Sequence, residues 1–262
     1  MKHKPIANTR FFFSTAPLPC PYLDGQVERR LVTELVGRDA KVLHDRLSVA
    51  GFRRSHGIIY APACPACNAC KAVRIRVDDF QPSRSQRHIL KRNTTLISEI
   101  VPAAATDEQY EMFRDYQNTR HFGGDMARMD SLDFRALIED TPVDTFVVEF
   151  RNEATGQLMA ACLMDRVRDG FSAVYSFFNP SESLDRRSLG SYMILWLVEH
   201  AKSVGLPHVY LGYWINNCSK MDYKAKFKPL EICIDTQWVD FEAYEANGQQ
   251  DYQGQEAPMS VR

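Results

Sequence analysis

Three closely spaced cysteines form the clearest chemical pattern in this sequence. Cys64, Cys67 and Cys70 follow a C-x2-C-x2-C spacing, which lets successive thiolates turn toward one centre. A zinc ion or an iron–sulfur cluster needs a fourth ligand, for which Cys20 is the candidate. Arg74 stands where a bacterial ferredoxin would have its fourth cysteine, so that type of cluster is excluded. The pattern predicts a structural zinc or iron–sulfur site, with buried or free thiols as the alternative.

A second chemical pattern is the loop before a long apolar helix. Residues 187–191 (RSLGS) match the start of the R/Q-x-x-G-x-G/A motif, which exposes backbone N–H groups to a pyrophosphate in CoA-dependent acetyltransferases. Tyr192 occupies the final small-residue position, where it would crowd a pyrophosphate but could stack on a base or ribose. We therefore expect an acyl donor other than CoA. The alternative is that Tyr192 packs inside the first helical turn.

Cations cover one face of a shorter predicted helix, SRSQRHILKRN. Residues at helical spacing lie side by side, so this face carries four fixed positive charges while Ile89 and Leu90 anchor the opposite side. Residues 53–92 hold nine lysines and arginines against two aspartates, in a chain whose formal net charge is −1. The distribution predicts a local polyanion site, and a solvated basic face is the alternative. The cations of this face are Arg84, Arg87, Lys91 and Arg92.

Lysines and aromatic residues alternate near the C-terminal end, in NNCSKMDYKAKFKP, within which we interpret CSKMDYKAKF as a helix. Aromatic rings beside cations suit a nucleic-acid terminus, because the rings stack on bases and the cations pair with phosphates. A solvated lysine-rich helix is the alternative. The residues concerned are Lys220, Tyr223, Lys224, Lys226, Phe227 and Lys228.

The elements that must position these residues predict an α/β fold of the α+β kind. We expect residues 1–100 to form a small N-terminal domain with the cysteines and the basic helix, including a strand with Arg74 and Arg76 facing outward. Residues 101–245 contain three antiparallel strands, a glycine-containing loop, a helix and another strand, the plan of an N-acyltransferase (GNAT, acetyltransferase-like) domain. Residues 246–262 are rich in Gln, Gly and Pro, which is typical of a disordered tail.

Composition restricts the location of the protein. No apolar run approaches the roughly 20 residues that cross a bilayer, and the N-terminal apolar run is too short for a secretory signal. Seven cysteines, three of them clustered, do not resemble a secreted disulfide framework. We expect a soluble cytoplasmic protein with no membrane or DNA partner.

Several segments, in the same order, resemble one known family. Over about residues 10 to 240 the chain resembles the bacterial aspartate/glutamate leucyltransferases, relatives of the eukaryotic arginyl-tRNA–protein transferase. The segments that carry the resemblance are GFRRSHGIIYAPACPACNACKAVRIRV, QPSRSQRHILKRN, AVYSFFNP, SLGSYMI and LPHVYLGYWINNCSKMDYKAKFKP.

The resemblance implies a cytoplasmic aminoacyltransferase. Such an enzyme moves leucine from leucyl-tRNA to the N-terminal amine of a protein that begins with Asp or Glu, which marks that protein for degradation in the N-degron (N-end rule) pathway. The basic helix, with Lys226 and Lys228, would then bind tRNA. In eukaryotic relatives a Cys-x-x-Cys pair and a Cys-Cys pair bind an iron–sulfur cluster, but here Leu23 replaces the second cysteine of the first pair.

The donor is an activated ester, so the chemistry requires no cofactor. It needs a neutral amine, and an α-amine with a pKa of about 8 is partly neutral at physiological pH. We expect backbone N–H groups of Gly190 and Ser191 to hold the terminal adenosine or the oxyanion, with Tyr192 or Tyr223 orienting it. The acidic acceptor needs a cation, for which the candidates are Arg74, Lys220 and Lys224.

Three alternatives to leucyl transfer remain at this point. An arginyl-tRNA–protein transferase would use the same mechanism. A CoA-dependent N-acetyltransferase is disfavoured by Tyr192. A non-enzymatic, metal-stapled RNA-binding module would leave the second domain without a role.

Overall fold

The computed structural model describes residues 10–181 and 187–247, so most of the predicted tail lies outside the described residues. The strands are β1 (Phe13–Ser14), β2 (Leu18–Pro19), β3 (Val27–Glu28), β4 (Arg30–Glu34), β5 (Arg53–Ser55), β6 (Ile58–Pro62), β7 (Lys71–Arg76), β8 (Leu96–Pro102), β9 (Thr145–Asn152), β10 (Leu158–Val167), β11 (Gly170–Phe178), β12 (His208–Trp214), β13 (Leu230–Ile234) and β14 (Gln237–Asp240). The helices are α1 (Ala40–Val49), α2 (Arg84–Arg92), α3 (Asp107–Arg120), α4 (Ser131–Glu139), α5 (Leu189–Ser203) and α6 (Phe241–Ala246). Short 3-10 helices lie at Asp125–Arg128 and Asp222–Lys226.

A large mixed sheet organises the described part of the chain. Its eight strands run in the order β14-β13-β7-β12-β11-β10-β9-β8. Strands β9, β10 and β11 form an antiparallel meander, and α5 then crosses over so that β12 pairs with β11 in parallel. This arrangement confirms the predicted α/β fold and the acyltransferase-like order of strands, helix and strand.

The N-terminal segment contributes strands to this same sheet. Strand β7 lies between β12 and β13, and β8 forms the edge beside β9. The large sheet therefore draws strands from both sides of the boundary predicted at residue 100.

The prediction that Arg74 faces outward from β7 is wrong, because a central strand is covered on both faces. Arg74 is only 8% exposed, between the rings of Tyr210 and Trp238.

Helices cover both faces of the large sheet. On one face, α5 packs its apolar residues over β7, β10 and β12 to form the larger core, with Phe227 and Phe241 at its margin. On the other face, α3 and α4 bury Phe113 and Phe134 against Val147, Leu163 and Phe177. Strand β10 is buried over nearly its whole length because it supplies side chains to both cores. No helix in the described ranges is long and apolar enough to cross a bilayer.

A smaller four-stranded sheet, ordered β1-β4-β6-β5, packs beside the large one with α1. The two sheets are joined by Arg54 of β5 and Asp165 of β10, both fully buried. The guanidinium donates from Nε and Nη2 to the two carboxylate oxygens at 2.6 and 2.8 Å. Thr145 and His44 also contact this carboxylate, so the charge is surrounded by donors.

Candidate active site

A cleft opens where β11 and β12 separate. The two parallel strands pair from Gly170 and His208 only as far as Ser172 and Tyr210, after which they diverge. The opening lies at the carboxyl ends of two parallel strands and beside the N-terminus of the crossover helix α5, the usual place for ligands in open α/β sheets. Two adjoining cavities fill this cleft, and they share Tyr116, Ser176, Ile194 and Tyr223.

The first cavity, which we call the helix-end cavity, has a volume of about 880 Å³ and includes Ser188, Gly190 and Ser191 in its wall. The first hydrogen bond of α5 runs from the Tyr192 N–H to the Ser188 carbonyl at 2.9 Å, so earlier N–H groups have no partner within the helix. Ser188 adopts a left-handed conformation, with φ of 55°, and its side chain does not cap the helix. The helix N-terminus is therefore open to an anion or a carbonyl oxygen.

Packing does not require a glycine at position 190. A Cβ at this position would have only Phe178 Cε1 nearby, at 3.6 Å, which is ordinary contact. The absence of a side chain instead leaves the backbone accessible from the cavity, which Phe178 also lines. The predicted pair Gly190 and Ser191 is thus brought together at an open helix N-terminus.

Tyr192 is not part of this cavity. It is 8% exposed and packs in the larger core, with its ring centroid 5.5 Å from that of Phe150. Residues 190 and 191 point toward the cavity, whereas the next residue on a helix turns about 100° away and here faces the core. The role predicted for Tyr192 in orienting the adenosine therefore has no support in its position. Tyr223, the other candidate, lines both cavities.

The second cavity, which we call the lysine cavity, has a volume of about 790 Å³. Lys224 is 5% exposed, and its ammonium donates to the Tyr213 carbonyl. Burial, and then the nearby charge of Arg53, lower the pKa of Lys224 to about 7. Lys220 lies in the same wall but is exposed. Two of the three cations predicted for the acceptor are therefore together.

Sequence reasoning missed three residues of this cleft. Arg53 lies on the floor of the lysine cavity, and Tyr116 and His121 extend from the C-terminal end of α3. Burial, then the cations Lys220 and Arg120, lower the pKa of His121. Among the described residues no carboxylate lines the lysine cavity. The positive charges of this cavity thus face no carboxylate among the wall residues that the structure describes.

Arg74, the third predicted acceptor cation, lies elsewhere. Its Nε donates to Glu231 at 2.6 Å and its Nη1 to the Tyr210 hydroxyl at 3.1 Å, and Asp169 is 3.6 Å from Nη1. The guanidinium is thus held between two carboxylates and two rings inside the sheet region, where its charge is compensated. The structure does not bring Arg74 to the cleft.

The basic helix forms as predicted and leads toward the cleft. Its four predicted cations are exposed, while Ile89 and Leu90 pack against the larger core. The Ser83 and Gln86 capping box starts the helix. At its end, Asn93 Nδ2 donates to the Arg187 carbonyl at 2.9 Å, next to the start of α5.

Lys226 and Lys228 lie beside this helix but differ in their contacts. Gln86 Nε2 donates to the Lys226 carbonyl at 3.0 Å, which brings the exposed Lys226 close to the basic face. Lys228 pairs instead with Glu242 at 2.8 Å. The predicted helix around them is reduced to the 3-10 helix Asp222–Lys226.

The four cysteines line one cavity, together with Tyr60 and Tyr213. Cys64 Sγ lies 3.5 Å from the backbone N–H of Arg29, which donates to it. Within residues 10–181 and 187–247, no three His, Cys, Asp or Glu side chains are grouped as they would be around a metal ion. A zinc or iron–sulfur centre at the four thiols is therefore not shown by these residues.

Comparison with known proteins assigns the chain to a family. The N-terminal part of the arginine-tRNA-protein transferase family matches residues 18–88, and its C-terminal part matches residues 108–234. A relative from Paramagnetospirillum magneticum, named aspartate/glutamate leucyltransferase, is 55% identical over 92% of this chain and 98% of its own. The chain belongs to the arginine-tRNA-protein transferase family. It is therefore an aminoacyltransferase.

Two further members of this family support the assignment. The aspartate/glutamate leucyltransferase of Gluconacetobacter diazotrophicus is 52% identical over 88% of this chain and 87% of its own. That of Rhodospirillum rubrum is 51% identical over 92% of this chain and 98% of its own. The C-terminal family match contains every named wall residue of the two cavities except Arg53, which lies in the N-terminal match.

Similarity to solved structures is more distant. One solved structure is the C-terminal domain of a putative lysylphosphatidylglycerol synthetase from Agrobacterium fabrum. It gives a TM-score of 0.47 at 14% identity, covering 79% of this chain and 64% of that one. L-PGS from Bacillus licheniformis gives 0.43 at 12% identity, covering 76% and 64%. At these TM-scores the likenesses carry no argument about function.

Proposed function

We propose that this enzyme transfers leucine from leucyl-tRNA to the N-terminal amine of proteins that begin with Asp or Glu, and that the two cavities of the cleft hold the two substrates. The observation that carries the proposal is that an open helix N-terminus and a buried lysine lie in one continuous cleft. Relatives at 51% to 55% identity named aspartate/glutamate leucyltransferase support leucine over arginine as the transferred residue. The product would be a degradation substrate of the N-degron pathway, and the reaction would take place in the cytoplasm.

The donor would approach along the basic helix. Arg84, Arg87, Lys91 and Arg92 would contact phosphates of the tRNA, with Lys226 beside them. Because Asn93 ties the end of this helix to the start of α5, an RNA strand bound along these cations would lead into the helix-end cavity. There the N–H groups at Gly190 and Ser191, which have no partner within α5, would hold the terminal adenosine or the oxyanion that forms on the ester carbonyl.

The acceptor amine would bind in the lysine cavity. With a pKa of about 7, Lys224 is partly neutral at physiological pH and can accept a proton from the attacking amine. A bond forms between the amine nitrogen and the ester carbonyl carbon, and the bond from that carbon to the 3′-oxygen of the tRNA breaks. The 3′-oxygen leaves with the proton that Lys224 took from the amine, which Lys224 returns directly or through the Tyr223 hydroxyl. Desolvation raises the pKa of Tyr223, so its hydroxyl stays protonated.

The test is a matrix of donors and acceptors. Purified protein is incubated with tRNA charged with labelled leucine, arginine or phenylalanine, and with peptides that begin with Asp, Glu, Arg or Ala. Label moving from leucyl-tRNA to the Asp and Glu peptides alone is the expected result. Transfer from arginyl-tRNA would keep the mechanism but assign the other donor. No transfer while charged tRNA binds would leave an RNA-binding protein and reject the proposal.

A metal centre at the cysteine cavity stays a prediction. It would be structural, since aminoacyl transfer itself needs no metal. Zinc and iron analysis of protein purified without oxygen tests it, with Cys67→Ser as the variant and Cys218→Ser, a buried thiol that does not line the cysteine cavity, as the control. Stoichiometric metal that is lost only in Cys67→Ser would support the prediction.

A further inference from the structure

Arg53 occupies the gap between the diverging strands. Beyond Ser172 the carbonyls of β11 have no partner on β12, and unpaired buried carbonyls are costly. Arg53 extends from β5 of the smaller sheet and donates from Nη2 to the carbonyls of Val174 and, at 3.4 Å, of Ala173. Its guanidinium thus replaces the missing strand at the floor of the lysine cavity.

The opposite strand is shaped to receive this group. Gly212 of β12 has φ of 74°, in the region that favours glycine, and the register of β12 shifts just before it. A Cβ at Gly212 would lie 2.8 Å from Arg53 Cζ and would overlap Nη1. The glycine therefore leaves the space that the guanidinium fills.

Arg53 is itself one of the residues that line the lysine cavity. In the described part of the chain its only hydrogen bonds run from Nη2 and it has no ion pair with a carboxylate. Lys220, Lys224 and His121 share the cavity, and no carboxylate lines it within residues 10–181 and 187–247. Arg53 and the buried Lys224 are thus two cations with no carboxylate among the described wall residues, and binding an anion would stabilise them.

We propose that Arg53 binds the side-chain carboxylate of the first residue of the acceptor and so sets the preference for acidic N-termini, an inference that rests on the proposed function. An N-terminal Asp or Glu presents an amine and a carboxylate a few bonds apart. Lys224 and Arg53 line one cavity and offer a proton acceptor and a bidentate cation to these two groups.

A tRNA phosphate is the less suitable anion here. The walls of the lysine cavity include Cys162, Met193, Leu197 and Leu211, apolar side chains that suit the stem of an amino acid. The basic helix joins the cleft at the helix-end cavity instead, through Asn93. The tRNA phosphates and the side-chain carboxylate of the acceptor would thus bind at separate sites.

The experiment compares peptides that begin with Asp and with Asn, which have the same shape and differ in charge. We expect Arg53→Gln to lower kcat/KM for the Asp peptide by about 10- to 100-fold, the range for a hydrogen bond to a charged group, and to leave the Asn peptide within a few-fold. Arg53→Lys, which keeps the charge but loses the planar fork, should give an intermediate preference. Arg135→Gln, an exposed arginine of α4, is the matched control and should change neither value.

Two results would overturn the inference. Equal losses on both peptides would show that Arg53 only supports the strands, and an unchanged Asp-to-Asn ratio would show that another group reads the carboxylate. Gly212→Ala keeps the charge of Arg53 but displaces its guanidinium, so it should reduce the Asp preference in the same direction if Arg53→Gln does not fold. A wild-type enzyme that leucylates no peptide would instead reject the proposed function.

Discussion

The ammonium of Lys224 donates to the backbone carbonyl of Tyr213, a residue of the central strand β12. The Tyr213 hydroxyl lies within donating distance of two carbonyls, those of Gly51 at 3.1 Å and Tyr60 at 2.9 Å, on the side of the cysteine cavity. One residue of the sheet therefore fixes the buried lysine from its backbone and anchors the N-terminal segment through its side chain. The position of Lys224 depends on the packing of both parts of the chain.

Lys224 should control the pH dependence of transfer. Its pKa is lowered to about 7, so the ammonium predominates below that pH and the neutral amine above it. We expect kcat to rise with pH through about 7 in the wild-type enzyme. Lys224→Met should lower kcat by about 10²- to 10⁴-fold, the usual contribution of a general base, and remove this inflection. An inflection from the acceptor amine, near pH 8, should remain in the variant.

The matched control for Lys224 is Lys202→Met, an exposed lysine near the end of α5. Its pH profile should coincide with that of the wild type. A wild-type inflection near pH 7 that persists in Lys224→Met would assign the proton transfer to another group.

Substitution of Gly190 should affect activity and stability in opposite directions. Alanine fits at this position, since its Cβ would contact only Phe178, and replacing glycine in a helix stabilises by up to about 1 kcal/mol. We therefore expect Gly190→Ala to melt at or above the wild-type temperature but to transfer leucine more slowly, because the Cβ obstructs the open N–H groups. Calorimetry and single-turnover kinetics measure the two effects. Full activity in a stable Gly190→Ala would remove the helix N-terminus from the mechanism.

The basic helix should determine the salt dependence of tRNA binding. Arg84 and Lys91 are exposed on α2, and each phosphate contact contributes about 0.7 to 0.9 to the slope of log Kd against log salt concentration. Arg84→Gln with Lys91→Gln should therefore reduce this slope by about 1.4 to 1.8 if each cation meets one phosphate. The KM of the acceptor peptide should not change. A slope equal to that of the wild type would place the tRNA on another surface.

The buried pair of Arg54 and Asp165 should hold the two sheets together. Asp165→Ala leaves a buried guanidinium without its carboxylate, which typically costs about 3 to 5 kcal/mol of the free energy of unfolding. The double variant Arg54→Met, Asp165→Leu should recover much of this loss, because it removes both charges. Denaturant unfolding of the three proteins measures the effect, and a double variant no more stable than the single one would show that the charges themselves are needed.

Local signals in the sequence predicted the local structure well. A capping box of Thr106 and Gln109, a pattern visible in the sequence, begins α3, and the cation spacing from Arg84 onward corresponds to a helix with an exposed basic face. Gly190 and Ser191 lie at a helix N-terminus, as the RSLGS motif indicated. These features depend on residues within one or two turns of each other, which a single sequence displays.

Long-range pairing could not be predicted in the same way. Alternation in β7 indicated an outward Arg74, but the insertion of β7 between β12 and β13 buries it under Trp238. Arg53 reaches the cleft from a different sheet, more than 100 positions away from the β11 carbonyls it contacts. One signal was present in the sequence, a glycine at position 212 inside a strand, since such glycines often mark a close approach.

The most direct test of the central claim is a single turnover of purified enzyme with leucyl-tRNA and a peptide that begins with Asp, read by mass spectrometry. We expect the peptide to gain one leucine on its α-amine, and a peptide with an acetylated N-terminus to remain unchanged. Leucine released to water, with no modified peptide while leucyl-tRNA is consumed, would contradict amine attack in this cleft.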